Sequence, residues 1–261
     1  DIGNIRIQPS ELAKPIIILW VARQLSNEKI KEHDLKTIWR AGFIPGLAVI
    51  LIFLQPDFGT TATIAFIVFI QFLFSKTKLI YPALLSIGGW FIGRYFLESE
   101  FYRAERLRVW SEGICNQGQE LLGACFQVHQ SRIAISSGGM FGLGPGTSRA
   151  RWGSLPSAYS DFISSIIGEE YGFIGYLIFI FILSICIITF FLIAVREKNE
   201  FKKIFISGLG AWILFQSVLN LGASVYLLPI TGIVLPFVSY GGTAMVSIFV
   251  ALGIMHCRVD E

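Results

Sequence analysis

Long stretches without charge constrain this chain more than any other feature of its sequence. One runs for 54 residues from Ile204 to Cys257 without Asp, Glu, Lys or Arg, and another covers the 25 residues from Tyr171 to Val195. A helix needs about 20 mostly apolar residues to cross the hydrocarbon core of a bilayer. Only 15% of all residues are charged, against about 25% in soluble domains. The chain is therefore predicted to be an all-α, polytopic membrane protein.

Seven transmembrane helices are predicted from the apolar stretches. They cover residues 10–25, 38–55, 59–75, 79–97, 171–195, 204–228 and 232–256. The long segment 98–170 is predicted to be an extracytoplasmic loop that carries the chemistry. The four cysteines and three histidines lack metal-ligand spacing. A net charge of +3, scattered along the chain, argues against nucleic acid as a partner.

The distribution of basic residues predicts the orientation in the membrane. Outside the long loop, most Lys and Arg residues fall in short loops on one side of the predicted bundle. Short basic loops face the cytoplasm. We therefore expect an extracytoplasmic N-terminus and a cytoplasmic C-terminus. An odd number of spans with an exterior N-terminus also predicts that upstream helices are missing before Asp1.

Charged residues occur where the predicted helices begin or break, and charge in such places of a membrane protein predicts function. Glu11 and Lys14 lie one turn apart on one helix face. Asp57 lies in a Pro/Gly-broken junction, Asp161 follows a proline in the long loop, and Ser239 lies in the last broken junction. These junctions are predicted to share an outer cavity. The plainer alternatives are a structural ion pair and, for Asp161, an acid in the first turn of a helix that Ser160 caps.

The long loop holds two further candidate features. Arg103 and Arg106, with Arg94 just before the loop, are candidates to hold phosphate groups, because guanidinium groups match phosphate oxygens. The alternative is an interfacial helix whose arginines reach the lipid headgroups. Five glycines and a proline lie within residues 138–146, without a nucleotide-binding pattern. This composition predicts that the segment is either a flexible turn or a close-packed re-entrant loop.

The motifs, in their order, resemble those of the SEDS family (shape, elongation, division and sporulation) of peptidoglycan polymerases. They are QPSELAK (8–14), QPDFGT (55–60), SSGGMFGLGPG (136–146), LPSAYSDFI (155–163) with GEEYGFIG (168–175), and PITGIVLPFVSYGG (229–242). Family members have ten spans, and QPSE opens the fourth. The resemblance implies that residues 1–261 form a single membrane domain comprising spans four to ten. GLGPGTSRARWGSLP resembles the division-type FtsW branch more than the RodA branch.

The resemblance implies an inverting glycosyltransferase that polymerises lipid II, a disaccharide-peptide on undecaprenyl pyrophosphate, at the outer face of the cytoplasmic membrane. It makes Asp161 the catalytic residue and includes Glu11, Lys14 and Asp57 as motif residues. Substrate-binding candidates are Glu11, Lys14, Asp57, Arg94, Arg103, Arg106 and Ser239. A divalent cation such as Mg²⁺ is expected at the leaving pyrophosphate. The expected partner is a class B penicillin-binding protein that crosslinks the glycan. The family's His-Thr before the Asp is Tyr159-Ser160 here, which keeps a hydroxyl and lacks the imidazole.

Two other functions are alternatives. A transporter of lipid-linked precursors also uses broken helices, although the two halves of this sequence show no internal repeat. A non-catalytic scaffold predicts that Asp161 is dispensable. A docking face for the partner's helix is predicted on 204–228, where small residues permit close helix approach, with internal packing as the alternative. These residues are Ser207, Gly208, Gly210 and Ala211.

Overall fold

The computed structural model describes residues 8–26, 35–55, 57–78, 80–83, 110–111, 113, 115 and 125–256. Their regular structure is helical. The main α-helices of these ranges are α1 (Pro9–Leu25), α2 (Leu35–Leu54), α3 (Phe58–Phe74), α4 (Phe126–Ser137), α5 (Ile163–Arg196), α6 (Glu200–Ser224) and α7 (Gly242–His256), with a 3₁₀ helix at Ala150–Trp152. The all-helical architecture is therefore confirmed for the described residues.

Two of these helices, α5 and α6, are long and apolar enough to cross a membrane. Shorter apolar helices cover Ile38–Ile52, Phe58–Phe74 and Gly242–His256. The predicted spans 10–25, 38–55, 59–75 and 171–195 each coincide with a helix. In the predicted span 79–97, residues 80–83 are helical and 84–97 lie outside the described residues. The count of seven spans stays a prediction.

Two predicted helix boundaries are wrong, and both flank the last broken junction. Helix α6 ends at Ser224 instead of residue 228, and α7 begins at Gly242 instead of residue 232. Pro229 lacks the backbone N–H that a helix needs. Gly232 and Phe237 have φ of 68° and 66°, in the left-handed region that no helix of L-residues uses. The segment between α6 and α7 is therefore an extended irregular connection, much longer than a local kink.

The chain divides into two compact units, each with its own packing. The first contains α1, α2, α3, residues 186–215 and α7. Helix α1 contacts α2, α3 and α7. Its apolar side chains Ile17 and Val21 join Ile64 and Phe72 of α3 in one buried cluster. Because α1 contacts three helices, its polar residues Glu11 and Lys14 are enclosed with its apolar ones.

The small residues of α6 pack inside this first unit. A Cβ atom on Gly208 would lie 2.8 Å from the amide group of Gln71, and one on Gly210 would lie 3.0 Å from Phe190. Ala211, on the same helix, is fully buried. The prediction that this face docks a partner helix is therefore wrong, and the alternative of internal packing is correct.

The second unit contains α4, the glycine-rich segment, the start of α5, the end of α6 and residues up to 240. Ala134 of α4 packs with Leu155, Ala158, Phe162 and Ile166 in a buried cluster. A disulfide joins Cys115 to Cys125, at a sequence separation of 10. This pair could not be predicted from the sequence, because a spacing of 10 residues does not distinguish a disulfide from two free thiols.

A kink at Gly172 interrupts α5, and the glycine-rich segment satisfies the backbone groups that the kink leaves unpaired. Gly172 has φ 67° and ψ −170°, which breaks the helical hydrogen-bond ladder. Four main-chain hydrogen bonds replace the lost ones: from Leu143 and Gly144 to the carbonyls of Glu169 and Glu170, both 3.0 Å, and from Phe173 and Ile174 to the carbonyls of Gly139 and Met140, 2.8 and 3.2 Å. The kink is thus stabilised by a segment remote in sequence.

Glycine is required where the two backbones cross. A Cβ atom on Gly142 would lie 2.1 Å from the carbonyl oxygen of Glu170, and one on Gly172 would lie 2.3 Å from the backbone nitrogen of Gly142. Both residues also have positive φ, which favours glycine. The close packing predicted for this segment is confirmed and the flexible turn is wrong, while its re-entrant position in the membrane stays a prediction.

Candidate functional site

Asp161 lies in an irregular turn that follows Pro156. Helix α5 begins only at Ile163, so Asp161 precedes the helix, and the interpretation of Asp161 as an acid of its first turn is wrong. The backbone N–H of Asp161 instead donates to the carbonyl of Ser157, 3.0 Å away. Ser157 itself has φ of 56°. This turn leaves the carboxylate outside the helix that follows.

Three consecutive backbone carbonyls, those of Tyr159, Ser160 and Asp161, each accept a hydrogen bond from residues more than 50 positions later in the chain. We call these donors the carbonyl clamp. They are Tyr240 N at 2.9 Å, Ser239 Oγ at 2.5 Å and Asn220 Nδ2 at 2.8 Å, in the order of the carbonyls. The clamp fixes the backbone on which the Asp161 carboxylate is mounted.

The surroundings of the Asp161 carboxylate adjust its proton affinity. Burial raises the pKa of this carboxyl, and a hydrogen bond from the Ser160 hydroxyl partly opposes the rise. A Cβ atom on Gly232 would lie 3.7 Å from Asp161 Oδ2, so the absence of a side chain there keeps space beside the carboxylate. A half-buried carboxylate with a raised pKa is a better proton acceptor than an exposed one.

Tyr159 occupies the position at which the family resemblance expects histidine. Its hydroxyl donates to the carbonyl of Arg151 at 3.3 Å and accepts from Nε of the same arginine at 3.4 Å. The phenol ring therefore ties the Asp161 turn to the 3₁₀ helix.

Glu11 and Lys14 form a buried ion pair in the first unit. The Lys14 Nζ to Glu11 Oε1 distance is 2.5 Å, with the lysine fully buried and the glutamate 5% exposed. Lys14 Nζ also lies 5.5 Å from the centre of the Trp212 ring, a cation–π contact. Among the described residues, Glu11 Oε2 has no hydrogen-bond partner. The predicted one-turn pairing is confirmed, and the unpartnered carboxylate oxygen is buried with it.

Asp57 caps helix α3, a role that the sequence analysis missed. Its carboxylate accepts from the backbone N–H of Thr60 at 3.0 Å, and its carbonyl accepts from the Thr61 hydroxyl at 2.7 Å. The signal was present, since Asp is a preferred N-cap residue and follows a proline here. The carboxylate also lies within electrostatic range of Lys14.

Glu169 is a second structural residue, buried to 1% exposure. Its carboxylate accepts from the Ser148 hydroxyl at 2.6 Å and from the backbone N–H groups of Arg149 and Ala150 at 3.1 and 3.2 Å. Glu170 is also buried, with Oε1 unpartnered among the described residues. Glu169 anchors the segment that leads to the 3₁₀ helix.

The structure describes only some of the remaining candidate residues. Arg94, Arg103 and Arg106 lie outside the described residues. The Ser239 hydroxyl, 5% exposed, donates to the carbonyl of Ser160 and accepts from the backbone N–H of Leu235. Within the described ranges, no group of three or more His, Cys, Asp or Glu side chains is arranged for a metal ion. The described residues therefore do not form a cage for a protein-bound Mg²⁺, and the divalent cation expected at the leaving pyrophosphate stays a prediction.

Asn220, which no motif argument singled out, is the buried donor that connects the Asp161 turn to the irregular segment before α7. Its Nδ2 donates to the carbonyl of Asp161 and also to that of Ile233, at 2.8 and 2.7 Å. The sequence offered one indication of this role: Asn220 is a polar residue in an otherwise apolar stretch.

Comparison with known proteins gives consistent results. The sequence pattern of the FtsW/RodA/SpoVE family, described as cell cycle proteins, matches residues 1–260. The probable peptidoglycan glycosyltransferase FtsW of Bacillus subtilis is 35% identical over 97% of this chain and 64% of its own length. The stage V sporulation protein E of the same organism is 31% identical over 97% of this chain and 69% of its own. The chain thus spans about two thirds of the length of these relatives.

Solved structures share the fold. One, from a peptidoglycan synthase complex that coordinates polymerisation and crosslinking, has a TM-score of 0.70 and 23% identity, covering 97% of this chain and 70% of its own. The rod shape determining protein RodA of Thermus thermophilus has a TM-score of 0.63 and 24% identity, covering 100% of this chain and 69% of its own. At this identity the likeness concerns the fold.

The chain has the architecture of a polytopic membrane protein, with apolar helices and with polar residues where these helices begin or break. The polar residues include a buried ion pair and a carboxylate held on an irregular turn. The chain belongs to the SEDS family, whose defining FtsW/RodA/SpoVE pattern covers it almost completely.

Proposed function

We propose that this chain is the catalytic membrane region of an inverting glycosyltransferase that polymerises lipid II into peptidoglycan strands. The observation that carries the proposal is the setting of Asp161. Its carboxylate lies outside any helix, its backbone carbonyl and the two before it are clamped, and a glycine keeps space beside it. The similarity to relatives named as probable peptidoglycan glycosyltransferases supports the same activity.

The proposed reaction needs one base. The 4-hydroxyl of the acceptor GlcNAc attacks the anomeric carbon of the donor MurNAc, forming the new C–O bond. The bond from that carbon to the pyrophosphate oxygen breaks, and undecaprenyl pyrophosphate leaves with the electron pair. Asp161 takes the hydroxyl proton. Its burial supports this role, because burial raises the pKa of the carboxyl and a carboxylate with a raised pKa is a stronger base.

The charged residues of the first unit are proposed to bind the substrate. Lys14 supplies positive charge for a phosphate group, and Glu11 holds the lysine ammonium in place, as the short ion pair supports. Asp57 adds negative charge near Lys14 while it caps α3. Arg94, Arg103 and Arg106 are proposed as further phosphate ligands, on the chemistry of the guanidinium group alone.

We propose that the chain crosses the cytoplasmic membrane seven times, with 98–170 outside and the C-terminus in the cytoplasm. The Cys115–Cys125 disulfide supports this orientation, because structural disulfides form in oxidising compartments. The division-type branch is favoured by the relatives named FtsW. A class B penicillin-binding protein is the proposed partner, which the shared fold with a subunit of a peptidoglycan synthase complex supports.

The activity is tested with the complete protein in detergent, where transport of a lipid has no meaning. Asp161→Asn preserves the size of the side chain and removes the base, so we expect at least ~100-fold slower polymerisation of lipid II. Because burial disfavours the charged carboxylate, the variant should melt no lower than wild type at pH 7. Glycan strands are measured by gel electrophoresis and unfolding by a thermal shift.

Each outcome separates the candidate functions. Loss of polymerisation at undiminished stability supports the catalytic base. Normal strands from Asp161→Asn would reject that assignment. A wild-type protein that makes no strands but moves lipid-linked precursor across vesicles would favour the transporter, and one that does neither would favour the scaffold.

A further inference from the structure

Both amide protons of the Asn220 side chain donate hydrogen bonds to backbone carbonyls. Nδ2 donates to the carbonyl of Asp161 at 2.8 Å and to the carbonyl of Ile233 at 2.7 Å. The residue is 2% exposed, so water does not substitute for either bond. One side chain on α6 thus ties the backbone of the Asp161 turn to the backbone of the segment that precedes α7.

The two backbones that Asn220 joins both border the space beside the Asp161 carboxylate. One carries Asp161 itself. The other carries Gly232, whose missing Cβ would lie 3.7 Å from Asp161 Oδ2, directly before Ile233. A shift of either backbone would therefore change the distance between the carboxylate and whatever occupies that space.

We propose that Asn220 is a positioning residue for the proposed glycosyl transfer: it fixes the Asp161 carboxylate relative to the Gly232 segment. The inference rests on the proposed function, because it assumes that Asp161 acts on the substrate. Ser239 and Tyr240 hold the two preceding carbonyls in the same way. Asn220 differs from them because its second proton secures the opposite side of that space.

The two hydrogen bonds at position 220 require the donor groups of an amide as well as a side chain of this size. Both partners are carbonyl oxygens, so the side chain must offer two N–H donors on one atom. Asn220→Asp keeps the shape but directs an oxygen at two acceptors, which repels both. Asn220→Leu keeps a similar volume and offers no donor. Both variants should release the Asp161 turn without opening a cavity.

Gln216 provides a matched control one helical turn earlier on the same face of α6. It is 1% exposed, and neither polar atom of its amide has a hydrogen-bond partner within the described part of the chain. Gln216→Leu therefore makes the same chemical change at the same depth without removing a bond. It reports how much α6 tolerates the loss of a buried amide.

The test compares wild type, Asn220→Leu, Asn220→Asp and Gln216→Leu as complete proteins in steady-state polymerisation of lipid II. We expect the Asn220 variants to lose about 10- to 100-fold in kcat, the effect of a misplaced reacting group. Their KM for lipid II should stay within about twofold of wild type, because the proposed binding charges are untouched. Gln216→Leu should retain both parameters, and a thermal shift checks that each variant is folded.

A second pair of variants guards against misfolding at position 220. Ser239→Ala removes the donor to the carbonyl of Ser160, and Ser239→Thr restores a hydroxyl there. The positioning role predicts a loss confined to kcat in the alanine variant and recovery in the threonine variant. A purely structural role would lower the melting temperature in step with activity.

The outcomes are distinguishable. If wild type makes no glycan strands, the proposed function fails. If wild type polymerises lipid II and Asn220→Leu matches Gln216→Leu in kcat, the proposed function stands and the positioning role is rejected. A rise in KM at unchanged kcat would also reject it, since that result assigns Asn220 to substrate binding.

Discussion

At the scale of single residues, the acidic side chains differ in the hydrogen bonds that their carboxylate oxygens accept. The Asp57 carboxylate accepts from a helix N-terminal N–H, and the Glu169 carboxylate accepts from two backbone N–H groups and a serine hydroxyl. The Asp161 carboxylate interacts with the Ser160 hydroxyl, which partly opposes the rise that burial causes in its pKa. This contrast is consistent with the proposal that Asp161 accepts the proton.

The pH dependence of polymerisation should depend on Ser160. The base works only when ionised, so activity falls as the pH drops through the pKa of Asp161. The Ser160 hydroxyl lowers that pKa, so Ser160→Ala should raise it and move the acid limb of the pH–rate profile to higher pH. Ser154→Ala, which removes a hydroxyl bonded to the Arg149 carbonyl, is the control. An acid limb that stays in place or moves down would contradict the role of Ser160.

Glu11 and Lys14 should behave as a coupled pair. Removing one partner leaves the other charge buried, which costs about 3–5 kcal/mol in comparable sites. Lys14→Ala and Glu11→Ala should each destabilise the protein strongly, and the double variant should lose less than the sum of the two. Thermal unfolding and initial polymerisation rates of all four proteins complete the cycle. Strict additivity would show that the two side chains act independently.

At the scale of secondary-structure elements, α5 and α6 are both apolar but differ in what covers them. In their most apolar windows, 22% of the α5 residues are buried inside the protein and 72% of the α6 residues. Phe181 and Ile182 of α5 are 65% and 61% exposed. Helix α5 therefore leaves most of its apolar side chains exposed, whereas α6 uses small residues to pack closely within the protein. Composition alone does not separate these two situations.

The crossing of the glycine-rich segment over α5 gives a prediction about its glycines. Gly142→Ala combines a positive φ with a Cβ placed 2.1 Å from a carbonyl oxygen, whereas Gly146→Ala has a positive φ and open space around it. The backbone strain alone costs about 1–3 kcal/mol. We expect Gly142→Ala to lower the melting temperature clearly more than Gly146→Ala does. Equal losses in a thermal shift assay would mean that the two backbones do not cross as described.

At the scale of the whole molecule, the proposed topology connects two independent observations. The basic residues outside the long loop favour one side of the predicted bundle, and the disulfide lies in the segment assigned to the other side. Positive loops remain in the cytoplasm, and disulfides persist outside it. Both observations therefore support the proposal that residues 98–170 lie on the extracytoplasmic side, where lipid II is polymerised in the proposed function.

The disulfide makes this topology testable. In intact spheroplasts, a membrane-impermeant thiol reagent should fail to label Cys115 and Cys125 until a reductant is added, and should then label both. The Cys115→Ser/Cys125→Ser variant identifies background labelling, including that of the free Cys186. Labelling without reductant would contradict the disulfide. No labelling after reduction, with labelling in lysed cells, would place the segment in the cytoplasm.

The sequence by itself determined the helical class, most helix positions and the pairing of Glu11 with Lys14. These follow from local rules: hydrophobic length sets a span, and i,i+3 spacing sets a helix face. It did not predict that α7 begins at Gly242, because a long apolar run hides a break that depends on the left-handed φ of Gly232 and Phe237.

Tertiary structure alone decided the surroundings of Asp161. Its clamp is supplied by Asn220, Ser239 and Tyr240, which lie 59 to 81 positions later in the chain. The glycine-rich segment likewise forms hydrogen bonds with the backbone groups of α5 that the kink at Gly172 leaves unpaired. Hydrogen bonds between remote backbones have no local signature, because a carbonyl accepts from any donor that the fold brings within reach.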